Sequence, residues 1–195
     1  MRFAASVCIV SMTLFCLGSS AAWGQGFGDL LPHDGAFIEA EPTLIVIPKS
    51  RDCVLGYSAK TDDWDRVELK SELPKNAPVV VSGDLAVFVH DGVCHGFSAE
   101  TGRWASIKLA DSKEPAIPII GGNVAAVRHA DDVYGFGTRH GVWGKATLSK
   151  GSRAQPAVGS SLLKIVDGET MYVFSETSKR FSGVNLTDGE TVRAR

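Results

Sequence analysis

Short apolar runs, each bounded by Gly- and Asp-rich turns, follow one another along most of the chain. Residues 79–98, VVVSGDLAVFVHDGVCHGFS, contain three such runs and two turns. Runs of this length with turn residues at their ends predict β-strands, whereas helices need longer stretches with a period of about 3.6 residues. No long stretch of helical period with capping residues is found, so the pattern predicts an all-β protein.

One 15-residue motif, here called the phrase, occurs four times, and the four copies align without a gap. The copies are LGYSAKTDDWDRVEL at 55–69, HGFSAETGRWASIKL at 95–109, YGFGTRHGVWGKATL at 134–148 and YVFSETSKRFSGVNL at 172–186. The third and tenth positions are aromatic in every copy, and the fifteenth is Leu. A fixed period of this size indicates a repeat architecture. The predicted repeat core is made of these eight rings: Tyr57, Trp64, Phe97, Trp104, Phe136, Trp143, Phe174 and Phe181.

Each unit is predicted to hold four short strands. A turn in the middle of the phrase, such as Ala99-Glu100-Thr101-Gly102, folds the chain back and sets Phe97 opposite Trp104. Another strand pair lies upstream, and the prolines that open three of the units suit the first residue of a strand. These prolines are Pro78, Pro118 and Pro156.

Tandem four-stranded units are the blades of a propeller. Residues 36–195 are therefore expected to form a small β-propeller of four four-stranded antiparallel blades. The alternatives are a β-sandwich and an open half-propeller that oligomerises. In a closed ring, the tail after Leu186 is a candidate for a closing strand beside the first unit.

The N-terminus has the order of residues that is typical of a secretory signal. Arg2 precedes an apolar run from Phe3 to Leu17, and small residues follow. The run is shorter than the about 20 residues that span a bilayer, which argues against a membrane anchor. We predict a signal peptide at 1–22, with cleavage after Ala22 or Gly24, then a flexible N-terminal segment at 23–35. The mature chain is expected to be secreted or periplasmic.

The net charge of the chain limits the classes of partner that it can bind. Twenty basic and 22 acidic residues give a net charge of −2, and there is no basic run. This composition predicts no nucleic-acid partner and, after signal cleavage, no membrane partner.

Cys53 and Cys94 remain in the mature chain, one residue out of phase between their repeats. They form either a disulfide or two buried thiols, and the sequence leaves both open.

The polar turn between the second and third strands of each unit holds the candidate site. In a closed propeller these turns share one face, which would form an acidic, His-containing surface for a cation, a basic peptide or another polar ligand. Asp-Gly turns also favour hairpins without any ligand, and this alternative stays open. No spacing typical of a metal site, nucleotide loop or hydrolase elbow is found, so no catalytic residue, metal or cofactor is predicted. The candidate residues are Asp52, His90, Asp91, His129, Asp131, Asp132 and Asp167.

Residues 79–104, VVVSGDLAVFVHDGVCHGFSAETGRW, resemble the repeats of quinoprotein-like (PQQ-like) propellers, and their last four residues also resemble kelch repeats. The resemblance covers residues 36–186 and implies a propeller architecture. Catalytic quinoproteins usually have eight blades, a dedicated cofactor pocket and, in some enzymes, vicinal cysteines, whereas this chain has four units and no such pair. The resemblance therefore argues weakly against an enzyme.

The leading hypothesis is an exported, non-enzymatic binding or scaffold module. Its partner is expected to be a protein, a peptide or a polar ligand, and a homo-oligomer through blade edges is a further expectation. The rival is a small exported enzyme or a cofactor-binding, quinoprotein-like fragment.

Overall fold

The computed structural model describes residues 35–194. The predicted signal peptide and nearly all of the predicted N-terminal segment lie outside these residues. Seventeen strands and no helix are found in the described part, so no segment of it forms a helix able to cross a bilayer. The strands are β1 (Ala36–Ala40), β2 (Thr43–Ile47), β3 (Cys53–Ser58), β4 (Asp63–Glu68), β5 (Val79–Ser82), β6 (Leu85–His90), β7 (Val93–Ser98), β8 (Arg103–Lys108), β9 (Ile117–Ile120), β10 (Val124–His129), β11 (Asp132–Gly137), β12 (Val142–Thr147), β13 (Ala157–Val158), β14 (Leu162–Asp167), β15 (Thr170–Ser175), β16 (Ser182–Asn185) and β17 (Thr191–Arg193).

The strands form four antiparallel sheets in chain order, which are here called blades 1 to 4. Blades 1, 2 and 3 have four strands each, and blade 4 has five. The prediction of an all-β chain built of four small antiparallel blades is confirmed. Two details differ from the sequence analysis. Strand β17 pairs with β16 of its own blade and not with blade 1. The prolines do not occupy the first strand position: Pro118 is the second residue of the edge strand β9, and Pro78 and Pro156 come one residue before β5 and β13.

The repeated phrase forms the last hairpin of each blade. Gly102 has a φ of +63°, which lets the chain reverse between β7 and β8. Phe97 is then the direct cross-strand partner of Trp104, with ring centroids 5.3 Å apart. The equivalent ring pairs in the other three blades are 5.1 Å apart. The predicted hairpin geometry is therefore confirmed in all four units.

Successive blades pack through rings that lie on glycines. The second residue of the phrase is Gly in the first three units, and the ring of the next blade covers it. A Cβ on Gly56 would lie 2.6 Å from the Phe97 ring, and a Cβ on Gly96 would lie 2.9 Å from the Phe136 ring. The third case is Gly135, whose Cβ would lie 3.0 Å from the Phe174 ring. Only glycine leaves room for this approach, so the phrase encodes the interface as well as the strand.

A hydroxyl at the fourth position of the phrase adds a second link. Ser58 of blade 1 donates a hydrogen bond to the carbonyl of Ala99 in blade 2. Ser98 of blade 2 donates in the same way to Thr138 in blade 3. Both bonds are buried, where a satisfied carbonyl contributes about 1 kcal/mol. In blade 4, Ser175 bonds instead to its own turn.

The blades form an open series. Three hydrophobic clusters join blade 1 to 2, 2 to 3 and 3 to 4. No comparable packing joins blade 1 to blade 4 within residues 35–194. The fourth unit also has Val173 where the other units have glycine, so it has no room for another ring. Sequence and packing agree that blade 4 ends the series.

The prediction that all eight rings lie in the core is wrong for Trp64, whose side chain is 46% exposed. Phe97, Phe136 and Phe174 are fully buried because each lies on a preceding blade. Blade 1 has no preceding blade in the described chain, and its ring pair therefore faces outward. Tyr57, the cross-strand partner of Trp64, is only partly buried.

Candidate functional site

The predicted site residues lie where the topology places them, at the turns between the second and third strands. His90 and His129 end β6 and β10, and Asp167 ends β14. Antiparallel blades of equal strand order bring these turns to the same end of each blade. The predicted polar turns therefore do lie at one end of every blade. Because the series is open, they form a row along the blades and not a closed ring.

Three repeat-equivalent side chains at this end hold the chain that enters their blade. His90 Nε2 lies 3.0 Å from the carbonyl oxygen of Ser71. His129 Nε2 lies 2.9 Å from the carbonyl oxygen of Ala110. Asp167 Oδ2 accepts a hydrogen bond of 2.6 Å from the backbone N–H of Ser149. These contacts fix the inter-blade segments 69–78, 109–116 and 148–156, a role that the sequence analysis did not predict.

The neighbouring carboxylates also bond to nearby chain. Asp91 accepts a hydrogen bond of 2.6 Å from the Ser71 hydroxyl. Asp131 accepts one of 2.9 Å from the backbone N–H of Gly151. The hydrogen bond from the Ser50 hydroxyl holds the pKa of Asp52 below its usual value. These three carboxylates therefore already have hydrogen-bond partners within the protein.

Asp132 belongs to a buried cluster. Its carboxylate accepts hydrogen bonds from Thr147 Oγ1 at 2.6 Å and from the Lys145 ammonium at 3.1 Å. Burial acts to raise the pKa of Asp132, but these bonds outweigh it and leave the pKa below its usual value. Burial also raises the pKa of Tyr134, which donates to Asp132, to about 12. The prediction that Asp132 and His129 form part of an exposed surface is therefore wrong, since they are 6% and 5% exposed.

A groove of about 590 Å³ opens between blades 2 and 3 at the same end. Asp91 and His129 line it, together with Lys108, Lys113 and Glu114. The Nδ1 atom of His129 is buried and has no hydrogen-bond partner among the described residues. The groove brings two of the predicted residues together with charges of both signs, which suits a polar ligand. No group of three or more metal-binding side chains occurs in residues 35–194.

The outer face of blade 1 was missed by the sequence analysis. One cross-strand row on this face runs Glu39, Leu44, Tyr57 and Trp64, and the next row holds Phe37, Val46 and Leu55. We call these seven residues the first-blade face. A groove of about 410 Å³, lined by Leu44, Tyr57 and the acidic Glu39 and Glu41, crosses it. The signal in the sequence was that three units have glycine at the second position of the phrase and the fourth has Val173. Three glycines receive the rings of blades 2, 3 and 4, so the ring pair of blade 1 is the one left without a glycine to cover.

Cys53 and Cys94 are free and buried. The alternative of a disulfide is not what the structure shows. Cys94 faces blade 3 within the cluster that joins blades 2 and 3. Cys53 has the strand parity of Leu55 and Tyr57, and therefore points to the other side of blade 1. The shift of one residue between the repeats accounts for this separation.

Comparisons with known proteins assign the chain to no family. No family model matches the sequence, and no curated protein matches it. Among the solved structures that match is Hsv2p from Kluyveromyces lactis, at a TM-score of 0.35 and 13% identity over 83% of this chain. This chain spans 62% of the length of that structure. A likeness of this size carries no argument, and the fold rests on the sheets and interfaces described above.

Proposed function

We propose that the chain is an exported, non-enzymatic binding or scaffold module that docks a protein on the first-blade face. The observation that carries the proposal is the uncovered Tyr57–Trp64 pair. Its counterparts in blades 2, 3 and 4 all lie on the preceding blade. Blade 1 presents the same pair, with the same 5.1 Å separation of the rings, to solvent. Exposed aromatic surface rimmed by polar groups is typical of a protein interaction site.

The internal interfaces indicate what the partner offers. Each ring pair lies on a β-strand whose glycine leaves space for it, so the partner is expected to present a glycine-containing strand. Glu39 and Glu41 line the groove beside the rings, and Asp62 accepts a hydrogen bond of 2.7 Å from the Tyr57 hydroxyl. This acidic rim favours a partner with Lys or Arg near that strand.

A second copy of the chain fits this face poorly if copies stack as the blades do. Such stacking would place Tyr57 of one copy on Val173 of the other. A Cβ alone at the equivalent glycines lies within 3.0 Å of a ring carbon, and valine adds two methyl groups. The expected homo-oligomer through blade edges stays a prediction, but this face is better suited to another protein.

The absence of catalysis is also part of the proposal. It is supported by the use of the polar turn residues as contacts to the segments between blades. His90, His129 and Asp167 each bond to a repeat-equivalent part of those segments. A single structural role explains all three positions without a reaction.

Photo-crosslinking tests the docking site. A benzophenone amino acid is placed at position 64, or at position 166 as the control, in chain secreted or exported by its own cell. Trp64 and Val166 are matched apolar positions, 46% and 48% exposed, on opposite ends of the series. We expect an adduct from position 64 that maps to a glycine-containing strand of one protein, with none from position 166. Adducts from position 64 only with residues 23–34, only with a second copy, or at the level of the control would overturn the proposal.

A variant pair provides an independent measurement. Tyr57→Ser/Trp64→Ser is expected to abolish capture of the crosslinked protein, whereas Leu162→Ser/Val166→Ser on blade 4 is expected to retain it. Equal capture by the two variants would contradict the proposal. Export is tested separately by the mass of the mature chain, which is expected to begin at residue 23 or 25. A chain that keeps Met1 inside the cell would refute export alone.

A further inference from the structure

A cleft of about 620 Å³ lies where the outer strand of blade 3 meets the outer strands of blade 4. Its lining comes from Lys145 in β12, from the segment 178–182 and from residues 191–194. Strand β17 folds back on β16 and so brings Arg193 beside Ser182, its direct cross-strand partner. The cleft depends on the fifth strand that only blade 4 has, so it has no counterpart in the other units.

The charge of the cleft is one-sided. Four of its lining residues are basic and none is acidic. Lys145 is neutralised by Asp132, at 3.1 Å. Lys179, Arg180 and Arg193 have no carboxylate within ion-pair distance in the part of the chain that the structure describes. Some cations elsewhere on the surface do have acidic partners, as Lys60 has Asp84 and Glu100.

This surplus is local, because the whole chain has a net charge of −2. Lys179, Arg180 and Arg193 are exposed, and an anion bound among them would relieve their mutual repulsion. Ser182 and Thr191 also line the cleft. Guanidinium groups with nearby hydroxyl donors suit a tetrahedral oxyanion, whose oxygens accept the paired N–H bonds of arginine.

We propose that this cleft binds a ligand carrying phosphate or sulfate groups, held by Arg180 and Arg193 with Lys179. The site lies on blade 4, at the other end of the series from the first-blade face, and it does not depend on the proposed protein partner.

Calorimetric titration of the mature chain with inorganic pyrophosphate and with a sulfated oligosaccharide tests the site. Arg180→Gln/Arg193→Gln is the test variant, and Lys75→Gln, an exposed cation in the segment 69–78 between blades 1 and 2, is the control. We expect the test variant to weaken binding about tenfold or more, since two charge-assisted contacts are lost. The control should change affinity less than about twofold, and added salt should weaken wild-type binding.

Both ligands carry a tetrahedral oxyanion, and the ratio of their dissociation constants identifies the class of ligand. Tighter binding of pyrophosphate assigns the site to a small phosphorylated ligand, and tighter binding of the oligosaccharide assigns it to a sulfated glycan. Absence of binding of both by the wild type, or equal loss in the test and control variants, would overturn the proposal. The melting temperatures of the variants are measured alongside, because an unfolded test variant would also lose binding. In that event the charge-retaining pair Arg180→Lys/Arg193→Lys replaces it, and unchanged affinity in that pair would also refute paired guanidinium recognition.

Discussion

Adding one methyl group at Gly96 is expected to destabilise the contact between blades 2 and 3. The new Cβ would lie 2.9 Å from two ring carbons of Phe136, whereas ordinary contacts begin near 3.4 Å. The ring must therefore move by about half an ångström inside a fully buried cluster. Overpacking of this kind costs about 1–3 kcal/mol, and the lower chain entropy of alanine returns about 0.4–1 kcal/mol. We expect Gly96→Ala to lower the free energy of unfolding by about 1–2 kcal/mol.

Denaturant unfolding, followed by tryptophan fluorescence and by circular dichroism, measures this loss. A double-mutant cycle assigns it to the ring. In a Phe136→Leu background, the smaller side chain leaves room for the methyl group. The cost of Gly96→Ala should then fall by about 1 kcal/mol, the size expected for residues in direct contact. Val173→Ala is the matched control at the same position of the phrase, and it should cost less than about 1 kcal/mol because no ring lies there in the described chain.

An equal cost of Gly96→Ala in both backgrounds would contradict a role for the Phe136 ring. The loss would then come from the strand itself, and glycine at this position would have no role in the interface. A neutral Gly96→Ala would contradict this role as well, because a ring that adapts without cost would not select glycine in three units.

The other predictions concern single side chains. Burial, with a smaller effect from His90, lowers the pKa of His95 to about 4. As the pH falls, the unfolded chain therefore binds a proton at His95 before the folded chain does, and the free energy of unfolding should fall by about 2 kcal/mol between pH 7.5 and 5. In unfolding curves, His95→Gln should reduce this dependence on pH. If the dependence is unchanged in this variant, another group causes it. Ser98→Ala removes the buried hydrogen bond to the carbonyl of Thr138, which keeps its bond from the Gly141 N–H, and should cost about 1 kcal/mol. Ser175→Ala, whose bonds are local, should cost less in the same denaturant assay. Burial raises the pKa of the Cys94 thiol to about 12, so iodoacetamide should alkylate it only after unfolding, as mass spectrometry will show; rapid labelling of the folded chain would contradict its burial.

The strands and hairpins could be predicted because their signals are local. Alternation, turn glycines and the seven-residue spacing between Phe97 and Trp104 all act within one unit. The direct pairing of those two rings follows from that spacing and from the turn at Gly102. Repetition then made the number of blades readable, since each copy of the phrase marks one hairpin.

The ends of the series could be predicted only in part. The contrast between Gly135 and Val173 is written in the sequence, but its meaning depends on knowing that a ring of the next blade covers that position. The contact between His129 and Ala110 spans 19 residues, and only the three-dimensional register of two blades brings them together. Arg180 and Arg193 likewise line one cleft only because β17 returns to β16.

Repetition with altered terminal units explains how one phrase specifies a finite series. Every internal contact needs two complementary parts, a glycine on one blade and a ring on the next. Blade 4 lacks the glycine, and the hydroxyl of its Ser175 bonds to Thr177 and Ser178 in its own turn, so blade 4 offers no site for a further ring. Blade 1 keeps the ring pair but has no glycine to meet in the described chain. Because a repeat protein needs capped ends to stay soluble, the unmatched rings at blade 1 require a cover that the repeat itself does not supply. This asymmetry is the physical reason to look for a partner at the first-blade face.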